Sequence, residues 1–276
     1  MKLGRTLADA SVAVVILIIL LGFIFPFVWV VLTSIRPDAD LFTDTLRIIP
    51  QHVTFAKYQS LFGSEFLTYI LNSILVATTS TIVTVVVAIF AAYSFSRFRF
   101  RGKGPLLGLF AFSQLFPFVV LLTPLFIFFF KLHLVNTYLG LIIAYTAISL
   151  PFCVYMLLGY FQSVPVSLDE AAVIDGCSTW RVVLRVVLPV AWPGIVATAV
   201  YVFIQSWNEY LFALTLMTDD SKKTVPVGLA NFFGQYTTDW GSVMSASVIA
   251  TVPTLIFFLF MQRQLVAGLA AGAVKQ

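Results

Sequence analysis

Six stretches of the chain are apolar over a length that suits a hydrocarbon layer, which takes about 20 residues of helix to cross. They run over 11–33, 66–96, 105–130, 139–161, 190–217 and 242–261. Lipid offers no hydrogen bonds, so each stretch must satisfy its own backbone, and the pattern predicts an all-α integral membrane fold with six transmembrane helices. The first run follows Lys2 and Arg5; it is too long for a signal peptide and lacks a small-residue cleavage site, so it reads as a retained helix. The second exceeds what a bilayer needs, which predicts that one end protrudes or lies along the interface. Pro117, Pro124, Pro151 and Pro253 fall inside these runs and predict kinks packed against neighbouring helices. No repeat, low-complexity segment or soluble domain interrupts them, so residues 1–276 read as one membrane domain.

The polar residues between the runs orient them. If the N-terminus is inside, the interior segments hold Lys2, Arg5, Arg97, Arg99, Arg101, Lys103, Arg181, Arg185, Arg263 and Lys275, against Arg36, Arg47, Lys57, Lys131, Lys222 and Lys223 outside. The densest cluster, Arg97 to Lys103, fills one short loop, where the excess of positive charge on the cytoplasmic side is most reliable. Both termini are therefore expected in the cytoplasm.

Composition closes off other classes. Of 276 residues, 60% are hydrophobic and 10% charged, against about 25% charged in soluble domains. The net charge of +4 is spread over short loops with no dense basic run, so no nucleic-acid partner is implied. Cys153 falls in a run and Cys177 in a loop, which predicts two free thiols, and no metal-ligand spacing occurs.

One interior connection, residues 162–189, is too polar to span and too patterned for a tether. Ser167-Leu-Asp-Glu170 fits a capping box, and Asp169 and Glu170 suit a positive helix N-terminus. A helix is expected from about Leu168 to Asp175, then a left-handed turn at Gly176. Ser178 would cap a second short helix containing Trp180, Arg181 and Arg185, closed by Pro189. The product is a cytoplasmic helix–turn–helix elbow. Local chemistry alone fits a coupling element and plain interfacial packing equally well.

Resemblance separates the two. Glu170-Ala171-Ala172, three residues, Gly176, nine residues, then Val186-Val-Leu188-Pro189 resembles the EAA loop of bacterial ABC-importer permeases, with Val186 standing for the family's Ile. The segment Phe203 to Ala213, the Pro226-Val-Gly-Leu and Asp239-Trp-Gly motifs, and the C-terminal residues from Gln262 resemble the maltose-type carbohydrate branch, in particular its smaller, MalG-like subunit. The resemblance implies a permease subunit in the bacterial inner membrane. Its partners would be a second, MalF-like permease, two cytoplasmic ATPase subunits, an extracellular solute-binding protein and a sugar. ATP and Mg would be bound by the ATPases; this chain has no phosphate loop of the Gly-x-x-x-x-Gly-Lys-Ser/Thr kind and is expected to bind no cofactor itself. The resemblance further implies that Ser167, Asp169, Glu170, Ala171, Ala172, Gly176, Arg181, Leu188 and Pro189 form the ATPase-coupling elbow, and that the tail Val274-Lys275-Gln276 reaches the ATPase interface.

Within the fifth run, Tyr201, Gln205, Asn208 and Glu209 share a helical face, and Glu209 is the one acid inside a run. Intramembrane ionisable groups are functional candidates, so this face reads as a translocation path or a receptor contact, with inter-helix hydrogen bonding as the alternative. The hydroxyl residues of the second run read mainly as close packing; Gln114 and Ser149 share that ambiguity. Trp29 and Trp240 read as interfacial anchors. A glycerol-3-phosphate permease of the same branch would need a basic path, and no Arg or Lys lies inside a run. An integral-membrane enzyme would need a nucleophile–base or metal constellation, and His52 and His133 share no motif. A self-contained secondary transporter would work without an ATPase.

Overall fold

The computed structural model describes residues 2–43, 47–234 and 237–273, with side chains described over 12–43, 47–234 and 237–262. The tail residues Val274, Lys275 and Gln276 lie outside the described residues. The helices, in chain order, are α1 Lys2–Ser34, α2 Ala56–Phe62, α3 Phe66–Arg97, α4 Lys103–Ser113, α5 Phe118–Lys131 and α6 Tyr138–Ser163. They continue with α7 Val166–Ile174, α8 Thr179–Val182, α9 Leu188–Asn208, α10 Leu211–Leu216, α11 Val225–Ala230 and α12 Trp240–Ala273. Among the described residues the one extended pairing is an isolated bridge between Phe233 and Thr238. Five helices are long and apolar enough to cross a membrane, and a bent pair makes a sixth span if counted as one.

The contacts divide the chain into two units. The first comprises residues 1–67 and 229–252. In it, the apolar side chains of α1 from Val12 to Val31 face outward, Phe23 being 73% exposed, as suits a helix whose surroundings are lipid or another subunit rather than its own chain. The end of α1 is held by polar contacts. The Ser245 hydroxyl donates to the Ser34 carbonyl at 3.0 Å, and the Arg36 guanidinium donates to the Ile48 carbonyl at 2.6 Å while lying 5.4 Å from the centre of the Trp29 ring. Trp29 thus stacks on a cation. Lys57 bridges Asp38 and Asp239, each at 2.9 Å, tying the loop before α2 to the start of α12. Burial opposes the charge on Lys57 and on Asp239, but the hydrogen bonds between them, with those from Asp38 and Ser242, outweigh it: the Lys57 pKa is raised and the Asp239 pKa lowered.

The second unit, residues 68–228 and 253–276, contains the main core. Ala88 and Ala92 on α3, Cys153, Leu157 and Phe161 on α6, and Ala191 and Ile195 on α9 are buried against one another. Small residues let the backbones approach closely. Gly194 marks the tightest point between α6 and α9, where an added Cβ would lie 2.2 Å from the Tyr160 ring. Leu141, Phe129, Phe212 and Leu216 form a second cluster that joins α5, α6 and α10.

Three sequence expectations are corrected here. The run 105–130 is not one straight span: α4 and α5 meet at 104° across 114–117. Pro117 supplies the physical reason, since it has no N–H to donate into a continuing helix and stands extended (φ −63°, ψ 119°) before α5. The run 190–217 is also broken, because Glu209 is extended (φ −71°, ψ 126°) between α9 and α10. Finally, Pro189 closes no helix. From α8 the chain passes through a π-helical turn, Val183–Val187, straight into α9, giving 30 helical residues from Thr179 to Asn208. The wider turn makes room for a ring that would otherwise press on the carbonyl four residues back.

Candidate functional site

Two regions carry the residues singled out by sequence. The first is the elbow. Helix α7 begins at Val166, with Pro165 extended at its N-cap and no side-chain cap. Ser167 and Glu170 therefore sit inside the first two turns, and the expected capping box does not form. Gly176 takes φ 81°, a conformation that costs glycine nothing and most residues about 1–2 kcal/mol. Ser178 stands extended before α8, but its hydroxyl makes no cap. Glu170, Ala171, Val173, Ile174 and Arg181 are exposed, Ala172 is buried, and the Trp180 ring meets Phe90 edge-on at 5.0 Å. The elbow thus presents an outer surface in which the apolar Val173 and Ile174 lie among the exposed charges of Glu170, Asp175 and Arg181.

Asp169 does something the sequence reading missed. It is 8% exposed and pairs with Arg97 at 2.7 Å, while the Tyr93 hydroxyl donates to the same carboxylate at 3.3 Å. An acid in a first turn reads as a complement to the helix dipole; its partner lies 72 positions away, and nothing local signals it.

The second region is a cavity of about 190 Å³ between α6 and α9, bounded by the α4–α5 break and the start of α10. Tyr201, Gln205 and Glu209 line it together with Gln114, Tyr145, Ser149 and Ser206. Gln205 donates to the Tyr201 hydroxyl at 3.1 Å, and Phe152 packs on the Tyr201 ring at 4.3 Å. The Ser206 hydroxyl is buried with no partner among the described residues. Asn208 does not join this wall: its amide donates to the Ile204 carbonyl at 2.8 Å within its own helix. Glu209 lies at the break rather than inside a helix, and its two oxygens accept from the N–H groups of Phe212 at 2.9 Å and Ala213 at 3.1 Å. It caps α10 across the rim of the cavity.

Beyond these regions, two polar residues of α3 act as anchors rather than packing. Asn72 donates to the carbonyls of Ser221 and Lys223, both at 2.9 Å, and the Ser73 hydroxyl accepts from the Val225 N–H at 2.8 Å. They fix the loop before α11. In that loop the hydroxyl and N–H of Ser221 hold the Asp219 pKa below the usual carboxylate value.

Comparison with known proteins places this architecture. The chain is 40% identical over 257 residues, 91% of either chain, to the trehalose/maltose transport system permease protein MalG of Thermococcus litoralis. It is 34% identical over 259 residues, 94% of this chain and 91% of the relative, to the sulfoquinovosyl glycerol transport system permease protein SmoH of Agrobacterium fabrum. The trehalose transport system permease protein SugB of Mycobacterium tuberculosis is 36% identical, with 91% of this chain and 92% of that one aligned. Among solved structures, a bacterial ABC transporter involved in the import of the acidic polysaccharide alginate superposes with a TM-score of 0.82 at 21% identity, covering 95% of this chain and 98% of that one; that likeness concerns the fold. Residues 84–270 match the family described as binding-protein-dependent transport system inner membrane component. A match over that span, with relatives aligned along nine-tenths of their length, shows that the chain belongs to this family and is a multi-pass membrane permease subunit of an ABC importer.

Proposed function

We propose that this permease carries a sugar handed over by an extracellular solute-binding protein, and that it does so beside a second, MalF-like permease and two cytoplasmic ATPase subunits that bind ATP and Mg. The observation that carries the reading is the cavity: hydroxyl, amide and carboxylate groups beside an aromatic ring, the combination that a sugar's hydroxyls and apolar ring faces both need. The names of the trehalose and maltose relatives support the same substrate class. No Arg or Lys lines the cavity, which weighs against an anionic phosphate ester. At about 190 Å³ it is smaller than the roughly 300–1,000 Å³ of complete small-molecule sites, so this chain supplies one wall and the second permease the other.

In this reading both termini and the elbow are cytoplasmic, and the elbow docks in a cleft of an ATPase. Glu170 faces a basic group there, Ala171 allows close approach, and Gly176 sets the turn; Ser167, Arg181, Leu188 and Pro189 frame the surface. Closure of the ATPases then shifts the permease between two packed arrangements. The tail Val274-Lys275-Gln276 would reach the same ATPase interface. The test is uptake of radiolabelled maltose and trehalose by the assembled complex in liposomes. Glu209→Gln exchanges a charge-assisted cap for a neutral one and is expected to lower uptake several-fold without altering subunit stoichiometry. Tyr201→Ala removes one of the four aromatic side chains that line the cavity, beside Phe118, Tyr145 and Phe212, and should do the same. Wild-type uptake in both variants would remove the cavity from the transport path.

A further inference from the structure

Every donor on the Arg97 guanidinium is committed. The Nε–H goes to Asp169 at 2.7 Å. One terminal nitrogen donates to the Ser96 hydroxyl and the Phe161 carbonyl, both at 3.0 Å. The other donates to the Val164 carbonyl at 3.0 Å and, more loosely, to the second Asp169 oxygen at 3.5 Å. A guanidinium has five N–H groups, so none is left for water. The side chain is 7% exposed, whereas Arg99 and Arg101 in the same basic cluster are exposed. The positive-inside pattern accounts for those two and not for Arg97.

The partners define a joint. Arg97 is the last residue of α3; Phe161 and Val164 present carbonyls at the C-terminal end of α6; Asp169 stands in the first turn of α7. One side chain therefore fastens the near arm of the elbow to the inner ends of two spans, with Tyr93, one turn earlier on α3, gripping the same carboxylate. A fork of fixed geometry suits this task and an ammonium does not, because Lys has three donors on one atom and cannot reach both carbonyls and the carboxylate.

We propose that Arg97 is a positioning residue for transport: it makes α7 move as one body with the inner ends of α3 and α6, so that displacement of the elbow by the ATPase reaches the translocation path. This rests on the proposed docking of the elbow, and the two ideas fail differently. The experiment uses the full importer in lipid nanodiscs and liposomes, with Arg97→Lys, which keeps the charge, and Tyr93→Phe, which removes one hydroxyl and threatens folding least. ATPase retained on the purified permease, ATP hydrolysis and maltose uptake are measured together. In Arg97→Lys the ATPase remains bound and hydrolyses ATP, while uptake per ATP falls about tenfold; Tyr93→Phe shows a smaller loss of the same kind. Nitroxides at Arg99 and Val166, both exposed and the second on α7, on an otherwise wild-type complex report one unchanged distance in nucleotide-free and ATP-bound states, and a broadened one in Arg97→Lys. An unchanged ratio of uptake to hydrolysis in both variants, or an Arg99–Val166 distance that changes with nucleotide in the wild type, overturns the clamp. Loss of ATPase binding in Arg97→Lys alone would make Arg97 a docking residue instead, which also overturns it. Failure of the wild-type permease to retain the ATPase at all would refute the docking itself. Should Arg97→Lys not assemble, the wild-type distance and Tyr93→Phe still decide.

Discussion

Substitution of Gly176 separates the backbone of the elbow from its surface. The residue sits at φ 81° with nothing within 4 Å of where a Cβ would stand, so a side chain there meets open space and the cost is conformational alone. For an ordinary residue that cost is about 1–2 kcal/mol, Asn is more tolerant, and a β-branched side chain is worse. If docking needs this turn, strain of that size lowers the docking-competent population about 5- to 30-fold, and the apparent affinity for the ATPase falls by the same factor. The expected order of affinity is Gly, then Asn, then Ala, then Val, measured by titrating purified ATPase onto the permease in nanodiscs. The bundle should stay intact throughout, since the site is exposed and a side chain there displaces nothing. A series in which Val binds as tightly as Gly, or in which Asn is worst, would refute the φ argument.

Gly194→Ala should act by steric conflict instead: its Cβ would fall 2.2 Å from the Tyr160 ring, near the root of that side chain, and the thermal stability of the permease should drop by about 1–3 kcal/mol, with partial recovery when Tyr160 is shortened to Leu. No loss of stability would mean that α6 and α9 are not packed this closely. The Lys57–Asp239 pair sets a pH window. Asp239, with its pKa lowered, contributes stability that is present above the unfolded value near about 3.9 and is lost as pH falls through its folded value. Lys57, with its pKa raised, contributes below about 10.4 and loses its contribution as pH rises through the folded value. Resistance of the loop before α2 to protease should therefore be flat between those limits, and Asp239→Asn should remove the acid limb and lower the plateau by under ~1 kcal/mol; an unchanged acid limb in Asp239→Asn would show that another group sets it.

Hydrophobic length alone located the membrane-crossing helices, because lipid forbids any other backbone arrangement over such runs. Breaks inside those runs were hidden for the same reason. Gln114 and Pro117 sit among Phe and Leu, and Glu209 among Trp, Tyr and Leu, so the hydropathy hardly dips where the helix stops. Prolines in membrane helices are usually absorbed as kinks, which is why Pro117 read as one. Gly176 was legible because a glycine between two short helical segments has a local reason. Asp169 was not: its burial depends on Arg97, and a contact between residues so far apart leaves no mark on either segment. The cavity shows the same limit. Tyr201, Gln205 and Glu209 were visible as neighbours on one stretch of chain, whereas Tyr145 and Ser149 join them only once α6 lies opposite.

The unbroken passage from Thr179 to Asn208 has a mechanical consequence. Thirty helical residues make a rod about 45 Å long, with its elbow end at one extremity and the polar rim near Glu209 at the other. If the elbow end is pushed, as proposed, a rod of that length carries the displacement to its far end. Its compliant points are the π-helical turn at Val183–Val187 and Pro193, which withholds an N–H from the ladder, so the stiffness of those two places sets how much of a push at one end would arrive as motion and how much would be absorbed as flexure.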